Sequence, residues 1–131
     1  YLPLYESKNP NGYIIPISGK GLWSTLKGYF AISEDKNTSL GIIFYSHKET
    51  PGLGGEVDKV WFQDQFKIDK EKKIFNSDGT LVSIIVNNRK NTDGKTHEVD
   101  GITGATVTSN GVTEFLKRDL ERYKNFLIGQ K

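Results

Sequence analysis

The sequence predicts an α+β fold, with antiparallel sheet(s) of hairpins packed against a mid-chain helix and a C-terminal helix, and three observations support it. Two pairs of β-branched and aromatic runs are separated by short polar turns. A central segment repeats apolar residues at helical spacing. The last third holds a longer run with one apolar and one charged face.

In chain order, Pro3, Pro10 and the cluster Asn9-Pro10-Asn11-Gly12 mark an entry segment and a turn. Tyr13 to Ile17 reads as a short strand. Its Pro16 cannot donate to a ladder and so belongs at an edge or an end. Gly19-Lys20-Gly21-Leu22-Trp23-Ser24 is a flexible loop carrying one large aromatic. Leu26 to Ser33 and Thr38 to Ser46 form an antiparallel hairpin across Glu34 to Asn37. The strand pattern stops at His47 to Gly55, a stretch with one proline and three glycines. A helix then spans about Gly54 to Gln65, with Leu53, Val57, Val60 and Trp61 recurring at its period and Trp61 in the core. Lys72 to Phe75 and Thr80 to Val86 make a second hairpin, signalled by Asp78-Gly79. Asn87 to Glu98 is a polar, mobile connection. The closing helix begins near Asn110 and buries Val112, Phe115, Leu116, Leu120, Tyr123 and Leu127.

Composition narrows the function. A chain of 131 residues with neither repeats nor a linker is one domain, 1–131. A net charge of +2 indicates no nucleic acid or other polyanion as partner. With no cysteine there is no thiol nucleophile or thiolate metal site, so electron chemistry needs a borrowed cofactor. No methionine is present, even at position 1, which implies a chain trimmed from a longer one. No apolar run approaches the roughly 18 residues that span a bilayer.

The most informative stretch is Asp100-Gly101-Ile102-Thr103-Gly104-Ala105-Thr106-Val107-Thr108-Ser109. Ser109 is a suitable N-cap for the closing helix, and unpaired N–H groups in a first helical turn suit a phosphate. Gly104 and Ala105 keep bulk away from whatever is held there. The pattern alone leaves two readings open, a phosphate-holding segment and a polar turn that caps a helix.

A resemblance separates them. Asp100, Thr103, Gly104, Ala105 and Thr106 match every fixed position of the flavinylation motif of the FMN-binding domain family, with Thr108-Ser109 as its trailing hydroxyl pair. His47, Glu49, Thr50, Pro51, Gly52, Leu53 and Gly54 resemble a second signature of that family. The loop 19–24, Trp61-Phe62 and Gln65-Phe66 are similar to the branch formed by the C subunits of Na+-translocating NADH:quinone oxidoreductases, more than to the G subunits of the related Rnf electron-transport complexes.

The resemblance implies FMN esterified through its phosphate to Thr106, with Glu49, Thr50, Gly52, Leu53, Gly54, Thr103, Gly104, Ala105 and Thr108 as further cofactor-binding residues. It implies a separate FMN transferase, dependent on FAD and Mg2+, that recognises Asp100, Thr103, Gly104, Ala105 and Thr106. It also implies a one-electron relay partnered by the other subunits of a respiratory complex. The domain would lie on the periplasmic side of a bacterial inner membrane, its N-terminal anchor being absent from this chain. The competing class is an extracytoplasmic binding or assembly domain of the same fold that never receives FMN.

Other chemistry fits less well. A hydrolase would pair His97 with Thr103, Thr106 or Ser109, but the nucleophile-elbow pattern is missing. His47 and His97, the only histidines, stand far apart without clustered carboxylates, so no metal site and no catalytic residue is assigned.

Overall fold

The computed structural model describes residues 2–88 and 91–129. Four antiparallel strands form one sheet in the order β1 (Tyr5–Ser7), β2 (Gly12–Lys20), β3 (Thr25–Ser33) and β4 (Ser39–Ser46). The expected β3–β4 hairpin is present, and Asp35 tightens its turn by accepting from Asn37 N, Thr38 N and Thr38 Oγ1. β2 runs through Gly19 and Lys20, which the sequence assigned to a loop, and pairs without interruption from Gly12↔Ser33 to Lys20↔Thr25. Pro16 sits where its missing N–H predicts: β1 pairs only with residues 12–14, so at Pro16 β2 is an edge.

The long helix α2 (Thr106–Arg122) crosses the inner face of the sheet against β2. Ile15, Ile17, Leu26, Phe30, Ile32, Ile42 and Phe44 from the sheet meet Val112, Phe115, Leu116 and Leu120 from α2 in one core. Gly111 allows the closest approach, because a Cβ there would stand 2.2 Å from the Lys20 carbonyl oxygen. The outer face of the sheet is also apolar, with Tyr29 stacked on Tyr45 at 5.4 Å and set edge-on to Tyr5 at 6.4 Å.

The helical start differs from expectation. α2 begins at Thr106, not near Asn110, and Ser109 is a buried helical residue rather than the cap. Gly104, at φ +78°, turns the chain immediately before Ala105, and that turn starts the helix without a capping side chain. Ser109 instead accepts from Ile102 N through Oγ.

The mid-chain helix is present but broken. A 3-10 turn (Gly54–Asp58) leads to extended Lys59, then to a single α-turn, α1 (Val60–Gln63), and a second 3-10 turn (Asp64–Phe66). Extended Lys59 resets the helical phase, so the apolar face shifts by one residue. Phe62 and Phe66 are fully buried while Trp61, expected in the core, is 41% exposed and donates its indole N–H to Glu56.

The second hairpin is reduced to its turn. Asn76 N bonds to Thr80 O, and a single bridge joins Phe75 to Leu81. Val82 N and Ser83 N both donate to the Ile74 carbonyl, and Ser83 has φ +65°, which ends the ladder after one rung. β5 (Ile85–Asn87) pairs instead, in parallel, with β6 (Glu98–Asp100).

The connection between β5 and β6, expected to be mobile, is tied down on the far side of residues 89 and 90, which lie outside the described residues. Buried Lys72 donates to the carbonyls of Thr92 and Lys95, and Thr92 donates twice to Asp100 Oδ1.

The shifted face yields a test. Phe62→Ala should lower unfolding free energy in urea by about 3–5 kcal/mol. Trp61→Ala should cost less, about 1–2 kcal/mol, since the residue is 41% exposed and its ring meets the core edge-on at Phe62.

Candidate functional site

Three chain segments meet at one end of the sheet. The register places the end of β2, the start of β3 and the end of β4 together, through Lys20↔Thr25 and Lys27↔Ser46. From that edge emerge the β2–β3 loop (21–24) and the loop that follows β4 (47–53). The first turn of α2 packs beside them, held close by Gly111 against Lys20.

Between them lies a cleft of about 420 Å³, lined by Leu22 and Trp23 from the first loop, by Glu49, Thr50, Leu53 and Gly54 from the second, and by Gly104 to Thr108. Two motifs some fifty residues apart in sequence therefore form walls of one cavity. Of the expected cofactor-binding residues, Thr106, Glu49, Thr50, Leu53, Gly54, Gly104, Ala105 and Thr108 line it. Gly52 and Thr103 are exposed and stand outside the lining, as does Asp100.

Glu49 is the organising group of the site. The residue is 4% exposed, and its carboxylate accepts four hydrogen bonds. Oε1 takes Leu22 N and Thr108 Oγ1, each at 2.7 Å, and Oε2 takes Trp23 N at 3.0 Å and Ser24 Oγ at 2.8 Å. Burial pushes its carboxyl pKa up, but the bonds from Thr108, Leu22, Ser24 and Trp23 outweigh burial and hold it below the ordinary value. Ser24 Oγ in turn accepts Lys48 N, closing the link between the two loops. The packing leaves no spare volume: a Cβ on Gly54 would meet Thr108 Oγ1 at 2.5 Å, and one on Gly21 would meet Glu49 Oε1 at 2.4 Å.

His47 supports the same loop from below. Its Nδ1 accepts Glu49 N at 3.1 Å, which leaves Nε2 to carry the proton donated to Asp58 Oδ2 at 2.9 Å. His97 is remote from the cleft, with Nδ1 on the Lys73 carbonyl. Asp100 has a structural setting as well: Gln65 brackets its main chain with two bonds, and Thr92 occupies Oδ1.

The chemistry offered by the cleft is apolar and weakly anion-seeking. Leu22, Trp23, Leu53 and Val107 are exposed large apolar side chains that line the same cavity, and Trp23 is 69% exposed. Thr106 is exposed at the first position of α2, whose start carries no side-chain cap. The partial positive charge of that first turn faces outward beside the Thr106 hydroxyl. Leu22 and Val107 were not singled out from sequence. The available signal was that each adjoins a recognised residue, Trp23 or Thr106, with no partner in a periodic pattern.

The Glu49 network predicts a pH-dependent stability. The folded-state pKa lies below the unfolded one, so the contribution is complete above the unfolded value and is lost as pH falls through the folded value. Glu49→Gln should cost about 1–3 kcal/mol at neutral pH in urea unfolding, because a buried donor then opposes another donor. The gap between parent and variant should narrow on acidification, and a gap independent of pH would contradict the assignment.

The chain is similar to known proteins over most of its length. The chain is 46% identical over 105 residues to the C subunit of the Na+-translocating NADH-quinone reductase of Pseudomonas aeruginosa, covering 79% of this chain and 39% of that protein. It is 36% identical to the corresponding protein of Pasteurella multocida, with 100% of this chain and 47% of the relative covered. A crystal structure of the C subunit from Parabacteroides distasonis superposes with a TM-score of 0.81 at 39% identity, over 98% of this chain and 62% of that one. The chain thus spans less than half the length of these two curated relatives. Residues 21–121 match the FMN-binding domain, and on that match, which takes in both walls of the cleft, the chain belongs to the FMN-binding domain family.

Proposed function

We propose that the chain carries FMN covalently, as a phosphoester on Thr106 Oγ, and serves as a one-electron relay in a Na+-translocating NADH:quinone oxidoreductase. The observation that carries this reading is the convergence of an exposed Thr106 hydroxyl, an uncapped helix start and exposed apolar side chains on one cleft.

The residues present fit a flavin. Leu22, Trp23, Leu53 and Val107 offer an apolar surface to a planar ring, and Gly104 keeps side-chain bulk out of the turn ahead of Thr106. The first turn of α2 supports the phosphate, by roughly 0.3–1 kcal/mol in an exposed setting. That is too little to retain a cofactor, which is why the tether matters. FMN, once attached, supplies reversible electron transfer that cysteine-free protein lacks. Glu49 and Thr108 line the cleft but bond to each other, so they shape its wall.

Attachment falls to an FMN transferase that uses FAD and Mg2+ and acts on the segment from Asp100 to Thr106. Thr106 is reachable by such an enzyme because its side chain is exposed in the folded domain. On this reading residues 1–131 are one FMN-binding domain of a longer, membrane-anchored protein, lying on the periplasmic side and working with the other subunits of the complex.

Export of the chain together with a flavin transferase tests the proposal. The wild type should give a band fluorescent under ultraviolet light on a denaturing gel, and Thr106→Ala should lack it. Thr106 is exposed and alanine favours helix, so the variant's urea stability should stay within about 0.5 kcal/mol. Flavin that survives denaturation in Thr106→Ala would place the attachment elsewhere.

A further inference from the structure

We infer that Glu49 is a positioning residue whose carboxylate latches the 21–24 loop to the first turn of α2, so that the ring of Trp23 is held against a flavin tethered at Thr106. This rests on the flavin reading proposed above and adds to it the group that shapes the cleft.

The geometry of the latch is specific to an ionised carboxylate. Each oxygen takes one backbone N–H and one hydroxyl: Leu22 and Thr108 on Oε1, Trp23 and Ser24 on Oε2. The hydroxyls can rotate, but the two N–H groups cannot. A glutamine of the same shape would have to set its NH2 against Leu22 N–H in one orientation and against Trp23 N–H in the other. Protonation leaves one of the two oxygens a weaker, uncharged acceptor and turns its O–H onto the Ser24 or Thr108 hydroxyl. Only the charged form gives both amides a full-strength acceptor.

The latch also determines what Trp23 presents. The loop is closed on itself by Gly21 N to Ser24 O at 2.9 Å, and Glu49 holds its two central amides. The backbone of Trp23 is therefore fixed while its ring is 69% exposed at the cleft. A large apolar ring on a fixed loop, uncovered and lining a cavity with the proposed acceptor Thr106, is placed to meet a second planar ring. Thr108, two residues beyond Thr106, gives the same carboxylate a hold on the turn that bears the tether.

Titration of the latch is readable because few charged groups adjoin it. Residues 21–24 and 104–109 contain no titratable side chain. On its own segment Glu49 has His47, which accepts its N–H, and Asp58 beyond His47, with Lys48 exposed beside it. An acid titration sensed by the amides of Leu22 and Trp23 thus reports Glu49.

The experiment follows both halves of the inference. In the 15N-labelled chain, the Leu22 and Trp23 amide protons should move together on acidification, at a pH below the ordinary glutamate range, and Glu49→Gln should abolish that shared step. Thr108→Val removes one donor without adding another and should raise the pH of the step, which keeps the test open if Glu49→Gln does not fold. In the flavinylated chain, Trp23→Ala and Glu49→Gln should each raise native flavin emission several-fold per attached flavin, because contact with an indole quenches it. Amides that do not titrate together, or emission unmoved by both variants, overturn the inference. Should the wild-type chain take up no flavin at all, the proposed function fails and the flavin half of this inference falls with it, while the amide titration alone decides the latch.

Discussion

A buried carboxylate cannot remain charged without donors, and the four that Glu49 recruits come from the 21–24 loop and the first turn of α2. The sheet brings the two loops to one edge, but strand pairing ends at Lys20 and Ser46 and says nothing about how residues beyond them are arranged. Desolvation of one negative charge supplies the missing constraint. Leu22, Trp23, Ser24 and Thr108 must each stand within hydrogen-bonding distance of two oxygens, which fixes both loops and the helix start relative to one another. The glycines at 21 and 54 are consequences of the same constraint, because each lies where a side chain would collide with the network. The cleft is the space left over.

That constraint explains which parts of the molecule were legible from sequence. The β3–β4 hairpin and the apolar face of α2 depend on local periodicity, and both appear where the pattern placed them. The mid-chain segment depends on the phase of a helix, and one extended residue, Lys59, moved the buried position from Trp61 to Phe62. The start of α2 was misplaced because Ser109 satisfies the rule for a cap, whereas the chain turns at Gly104 and uses Ser109 inside the helix. Thr80 to Val86 has strand composition but loses its ladder to a doubly used carbonyl at Ile74. In each case a non-local bond or a single backbone angle, neither of which has a periodic signature, decided the outcome.

The candidate site was legible in a different way. Resemblance, not periodicity, identified the segments 47–54 and 100–106, and the fold brings the centres of both to one cavity while leaving Gly52, Asp100 and Thr103 outside its lining. Glu49 shows what a motif leaves out. From sequence it was grouped with the cofactor-binding residues, and it does line the cavity, but no pattern announces the four bonds its oxygens accept from the protein itself. Trp23 shows the converse, since a lone aromatic in a glycine loop gives no indication of whether it is packed, and only the structure leaves its ring uncovered.

An open cleft and a covalent tether belong together on physical grounds. The apolar side chains around Thr106 are largely exposed, and the helix start contributes only a fraction of a kcal/mol up to about 1 kcal/mol toward a phosphate. Reversible affinity built only from such contacts would be low, because the apolar side chains are half-exposed and the phosphate term is small. The proposed tether would change the comparison: the ring would no longer compete with dilution and would meet its surface at a high effective concentration, so weak contacts would suffice to orient it. What the protein must then supply is a fixed arrangement of those weak contacts. A carboxylate that locks two loops and a helix start to one another, at positions none of them would keep alone, supplies that arrangement without occupying the cleft.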